Sequence, residues 1–283
     1  MTVRVVCDTA CDLPAGLVED HGIVLVPLHV RFEEAEFVDR EQLSVKEFWA
    51  RCAESASLPE TSAPSPGAFG AAFEAVAAAG AEGVVCVTLS SRLSGTNGAA
   101  AQAARTLAKD IRVEVVDSFS ATLGEGLVAL AAAEAAASGA GLEETVCAAE
   151  STRARLSVFG AIDTLDNLRK GGRIGGAAAA MGALLSVKPV VEVRDGAVEQ
   201  ESRQRTRAKS LRYLAEKVRS AGPLERLAVM SADAPDFDEF VGLVADLSSV
   251  HPRFAGDIGP VIGTHAGPGA VGVAWVTVGA KGG

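Results

Sequence analysis

Residues 83–118 read GVVCVTLSSRLSGTNGAAAQAARTLAKDIRVEVVDS, and the order of textures within them decides the fold. GVVCVTLS (83–90) is apolar without alternation, the pattern of a strand covered on both faces. SGTNGAAAQAARTLAKD (94–110) reads as a helix, and IRVEVVDS (111–118) as a second strand. LGEGLVALAAAEAAAS (123–138) supplies another helix. This β-α-β-α rhythm indicates a parallel sheet with helices packed on it.

The same texture extends upstream. VRVVCD (3–8) is a buried strand, and DLPAGLVEDHG (12–22) a short helix with Asp12 as N-cap and Pro14 in its first turn. IVLVPLHVRF (23–32) is a strand or strand pair, and SVKEFWARCAES (44–55) a helix capped by Ser44. The prolines of 57–66 make a stiff extended loop that ends where Ser65 and Pro66 open a helix. From about residue 154 the pattern changes. Asp195-Gly196 sits between strand-like runs as a tight hairpin. A helix (206–221), a strand (225–230), a helix (235–248) and two closing strands through 278 follow. The expected fold is α/β in two domains: an open parallel α/β domain over 1–154, and a smaller α+β domain over 155–283.

Composition narrows the function. The 283 residues are 48% hydrophobic with a net charge of -10, which argues against general nucleic-acid binding. Five cysteines without framework spacing read as reduced thiols. MTVRVVCDTA enters a strand at once, and the alanine tracts are too weakly apolar to span a bilayer, so the expected location is the cytoplasm. Residues 151–219 hold fourteen Lys/Arg against seven Asp/Glu, a local charge of +7. That stretch is either a solvated basic face or a surface for an acidic partner or an anionic group.

Some motifs mislead. Gly124, Gly126 and Ala129, and again Gly267, Gly269 and Gly272, match the dinucleotide fingerprint. The first lies too far beyond its strand and the second runs into a strand, so neither offers a helix N-terminus to a pyrophosphate. No P-loop lysine, HExxH or GxSxG is present. His21, His29 and His251, with Cys7 and Cys11, read as surface or packing residues, and no cofactor or metal is expected.

Three hydroxyl-rich loops remain. They offer Thr61 and Ser62; Ser90, Ser91, Ser94 and Thr96; and Ser118 and Ser120. In an open α/β sheet, ligands bind beyond the carboxyl ends of the strands, where helix N-termini present free N–H groups. Hydroxyls and helix N-termini without a lysine or a metal suit a carboxylate. A helix cap would explain any one of these loops but not all three. His265, among the glycines and small apolar residues of VIGTHAGPGAVGVAWV (261–276), is either a core histidine bonded to backbone or part of such a site.

In sequence order, CDTACDLP, TSAPSPGAF, LSSRLSGTNGAA, VVDSFSATLGEG, LDNLRKGGRIGG, LLSVKPVV and IGTHAGPGAVGV resemble the DegV family of bacterial fatty-acid-binding proteins over nearly the whole chain. The resemblance implies a long-chain fatty acid enclosed between two domains. It further implies presentation of that acid to a separate kinase, related to dihydroxyacetone kinases, which makes acyl-phosphate for phospholipid synthesis. By motif, Thr61 and Ser94 hold the carboxylate, within a set that includes Ser62, Gly95, Thr96, Ser118 and His265. The resemblance places Arg173 and Arg205, with His265, where the family engages the kinase or the phosphoryl-transfer site. The role is that of a carrier subunit, compatible with transient contact with a membrane surface. The rival readings are a serine hydrolase or acyltransferase, with Ser94 as nucleophile, His265 as base and Asp8 or Asp117 as orienting acid, and a ligand-responsive regulator without a kinase.

Overall fold

A helix that is apolar on every side has to be covered on every side, and that requirement organises this molecule. The structure, a computed structural model, describes residues 2–55, 57–180, 187–247 and 253–279. His251 and the first residues of LLSVKPVV lie outside the described residues.

The chain begins with β1 (Val3–Asp8), α1 (Ala15–Asp20), β2 (Val24–Val26), β3 (His29–Phe32), β4 (Ala35–Val38), α2 (Val45–Glu54) and β5 (Glu60–Ser62). It continues through α3 (Pro66–Ala78), β6 (Gly83–Thr88), α4 (Thr96–Thr106), β7 (Arg112–Asp117), α5 (Leu123–Ala137) and α6 (Leu142–Ala154). Strands in the order β2-β1-β6-β7 form an all-parallel sheet, as the apolar runs require. A small antiparallel sheet, β4-β3-β5, stands beside it. The run 23–32 is therefore two strands in different sheets, separated at Pro27.

The remaining elements are β8 (Leu156–Ala161), α7 (Asp166–Lys170), β9 (Lys188–Arg194), β10 (Ala197–Gln204), α8 (Arg207–Ser220), β11 (Leu224–Ser231), α9 (Phe237–Leu243), β12 (Arg253–Asp257), α10 (Pro260–Ala266) and β13 (Val271–Thr277). Six of these strands make one sheet in the order β10-β9-β8-β13-β11-β12, antiparallel except for β11–β12. Among the described residues no helix is long and apolar enough to cross a membrane.

Burial arranges these parts in five layers. Phe69 and Phe73 of α3 and Ala100 of α4 cover one face of the parallel sheet at Val6, Val84 and Cys86. Leu211 and Leu214 of α8 and Phe240 of α9 cover the far face of the six-stranded sheet at Val229, Val273 and Trp275. Between the two sheets lies α5, whose residues Leu123 through Ala133 are all buried. One continuous core joins it to Val5 and Val85 on one side and to Val158, Ala228 and Ala274 on the other. The glycines of the first false fingerprint make that fit possible. A Cβ on Gly124 would lie 2.5 Å from Val158, and one on Gly126 would lie 2.7 Å from the Cys11 carbonyl.

One local expectation needs correction and another an addition. Asp12 does not cap α1, whose N-cap is Pro14. Its φ of 53° places it in the left-handed region. Its carboxylate instead accepts from Arg40 Nη2 at 2.7 Å and from the Gly259 N–H at 3.0 Å, because a guanidinium is the stronger partner. The second is an addition: the two closing strands are present as expected, and between them the chain forms the short helix α10, with Pro260 in its first turn. Ser44 and Ser65 cap α2 and α3 as expected, Ser44 within a complete capping box.

Candidate functional site

The loops at the carboxyl ends of the parallel strands, the end of β5, α10 and the inner face of the six-stranded sheet enclose a cavity. It holds about 1120 Å³ free of protein atoms, counting the mouth open to solvent. Its walls are mostly aliphatic, among them Leu28, Leu93, Ile162, Leu168, Val191 and Ile258.

A group of polar residues interrupts this lining. Thr61, on β5, forms a 3.0 Å hydrogen bond with His265 Nε2 of α10. Arg173 follows α7 and is held by the carbonyls of Leu93 at 3.0 Å and Gly171 at 2.6 Å. Among the described residues it has no carboxylate partner. Ser94 lies beside it in the chain of contacts, its hydroxyl 2.9 Å from that of Thr96. Gly95 is the N-cap of α4 and brings no side chain to the helix N-terminus. The Thr96 N–H, the first of α4, donates to Ser94 Oγ at 3.4 Å, so the hydroxyl that faces the cavity sits on the helix N-terminus, an arrangement favourable to an anion.

His265 is half-buried, and its Nδ1 has no hydrogen-bond partner among the described residues. Burial, then the Arg173 charge, pushes its pKa down to about 4. The imidazole is neutral at physiological pH, leaving Arg173 as the positive charge of the site. Gly171 packs against this ring so closely that a Cβ there would collide with Nδ1.

The expected site residues divide clearly. Thr61, Ser62, Ser94, Gly95, His265 and Arg173 all line the cavity. Thr96 is buried behind Ser94 and reaches the site through their hydroxyl pair. Ser118 is buried away from the cavity and bonds within its own turn, to Ser120. Arg205 is exposed in the loop between β10 and α8 and does not line the cavity. Arg173, expected at the kinase or phosphoryl-transfer site, has its guanidinium in the cavity wall, and the glycines around it, GGRIGG, are the sequence sign of close packing there. The aliphatic lining was missed, because in sequence it is indistinguishable from core.

A hydrolase constellation is not assembled. His265 engages Thr61, and Ser94 engages Thr96. Asp8 accepts from the N–H groups of Ala10 and Leu89, and Asp117 from those of Ser91 and Phe119. Neither acid orients His265.

Fold and site together define a binding protein: an aliphatic cavity, open at its mouth, with a cationic, hydroxyl-bearing group in its wall. The DegV family model, described as "Uncharacterised protein, DegV family", matches residues 2–278, and the chain belongs to that family. A DegV domain-containing protein of Streptomyces coelicolor is 37% identical over 278 residues, covering 96% of this chain and 97% of the relative. One from Deinococcus radiodurans is 39% identical over 279 residues, covering 97% and 98%. Among solved structures, a fatty-acid-binding DegV family protein from Thermus thermophilus superposes with a TM-score of 0.89 at 32% identity, covering 98% of this chain and 100% of that one. DegV of Bacillus subtilis, described as a fatty acid binding protein, gives 0.88 at 30% identity, with the same coverage.

Proposed function

We propose that this protein binds a long-chain fatty acid, with its carboxylate at Thr61, Ser94 and the N-terminus of α4 and its chain in the aliphatic cavity. The observation that carries this reading is Arg173, a cation in the cavity wall without a carboxylate counter-ion among the described residues. A carboxylate there gains charge-assisted hydrogen bonds. Each methylene withdrawn from water adds about 0.8 kcal/mol, offset in part by the cost of immobilising the ligand. The fatty acids bound by the relatives support the same ligand class.

The protein then acts as a carrier that presents the acid to a separate kinase, related to dihydroxyacetone kinases, for acyl-phosphate formation in phospholipid synthesis. Exposed Arg205 belongs to the surface that meets this partner. Mass spectrometry of an organic extract of protein purified from bacteria, without added lipid, tests the first part. A stoichiometric long-chain acid is expected; its absence, together with failure of the delipidated protein to take up an added acid, would overturn the reading. Kinase-dependent phosphorylation that falls in Arg205→Ala, with acyl affinity retained, is the result expected for the second.

A further inference from the structure

The floor of the cavity is the inner face of the six-stranded sheet, and its composition is unusual for the centre of a sheet. Strand registers align Met230 on β11 with Gly272 on β13, Gly272 with Gly160 on β8, and Gly160 with Val191 on β9. Side chains two residues away along these strands, Ala228, Ala274 and Val158, belong to the core on the α5 side, so this row faces the cavity. All four residues of the row line it. The result is a trough two strands wide, with backbone for its floor, Met230 as one wall and Val191 as the other. Glycine inside a strand weakens it and marks a place where something approaches the backbone closely. Here two such glycines sit side by side.

Met230 is not a fixed wall. A Cβ on Gly272 would lie 2.6 Å from Met230 Cγ and 2.9 Å from its Sδ, so the thioether leans over the glycine in space that only glycine leaves. Its one hydrogen bond comes from Thr122, whose hydroxyl donates to Sδ at 3.2 Å. Thr122 also lines the cavity, with φ at 52°. A thioether is a weak acceptor, and methionine has three rotatable bonds with which to fill or vacate a gap.

We infer that Met230, resting over Gly272, sets the room the cavity leaves for the acyl chain and so selects among acids of different length. This rests on the fatty-acid reading above and adds the residue pair that selects among acids. A chain lying in the trough meets the thioether at its wall. Displacing Met230 into the cavity shortens the room available, and trimming it extends that room.

The test is displacement of a fluorescent fatty acid from delipidated protein by saturated acids from C12 to C20, for wild type, Gly272→Ala, Met230→Ala and the double variant, each shown to be folded by circular dichroism. Each methylene that loses its place changes affinity roughly fourfold. Gly272→Ala is expected to move the optimum about two carbons shorter, weakening the longest acids on the order of tenfold. Met230→Ala is expected to move it longer. The double variant should return toward wild type, because the new methyl occupies space the thioether has left. If Met230→Ala does not fold, Met230→Val carries the same expectation with less lost packing. An unchanged ranking of chain lengths in folded variants would overturn this inference and leave fatty-acid binding standing. Wild type that binds no acid of any length would overturn both.

Discussion

Thr61 and His265 stand 204 residues apart in the chain and share a hydrogen bond. At this scale the site is a set of exchangeable pairs, Thr61 with His265 and Ser94 with Thr96, that a carboxylate can enter as an acceptor. Removing a hydrogen bond to a charged group costs roughly 1.5–3 kcal/mol. Thr61→Ala and Ser94→Ala should therefore each weaken long-chain acid binding by about tenfold or more, measured by calorimetric titration. Ser118→Ala should leave it unchanged, since that hydroxyl bonds inside its own turn. His265 gives a pH signature. Its folded pKa of about 4 lies below the ordinary histidine value, so the unfolded chain takes up the proton first. Its contribution to stability is complete above about pH 6.5 and is lost as pH falls toward 4. A carboxylate bound beside the ring raises that pKa. Imidazole resonances should titrate near 4 in the free protein and at a higher pH with acid bound. Of these residues, Thr61 and Ser94 stood among several hydroxyls that the loops offered; the family resemblance singled them out, and both line the cavity. Ser118 looked the same in the sequence, and only the direction of its turn separates it from the site.

At the scale of the element, α5 is held by contacts that tolerate no added atom. Gly126→Ala places a methyl 2.7 Å from the Cys11 carbonyl. Overpacking of this kind should cost about 1–3 kcal/mol, seen as a lower urea midpoint. The first turn of α5 also brings Glu125 against β1, where its Oε1 accepts from the Cys7 thiol at 3.2 Å. Burial raises Asp8 to about 7, and burial with the Asp8 charge raises Glu125 well above its usual range. For carboxyls raised in this way the folded state keeps protons that the unfolded state has released. Stability is then lost as pH rises from about 4 toward 7, the opposite direction to His265. Above about pH 6.5, where the His265 contribution is constant, the midpoint should fall further toward pH 8, and Asp8→Asn should flatten that slope. The parallel sheet was legible because its strands are apolar runs between recognisable helices. The short helix α10 was not, since PVIGTHA carries neither a polar face nor a side-chain N-cap.

At the scale of the molecule, the division near residue 154 separates the sheets but not the core. Trp49 on α2 packs against Gly263 of α10, and Trp275 on β13 stacks on Phe159 with ring centroids 5.1 Å apart. Single-tryptophan variants, Trp49→Phe and Trp275→Phe, should therefore report the same thermal midpoint; two separated midpoints would mean that the halves unfold independently. The position of α5 between the sheets has a further consequence, for synthesis. A ribosome makes α5 before β8, β11 and β13, the strands that cover its second face, and β13 lies inside its sheet, between β8 and β11. At ordinary rates of translation the nascent chain spends seconds with that helix exposed. The fold is thus completed only after translation of β13, and until then an all-apolar helix lacks the strands that cover its second face.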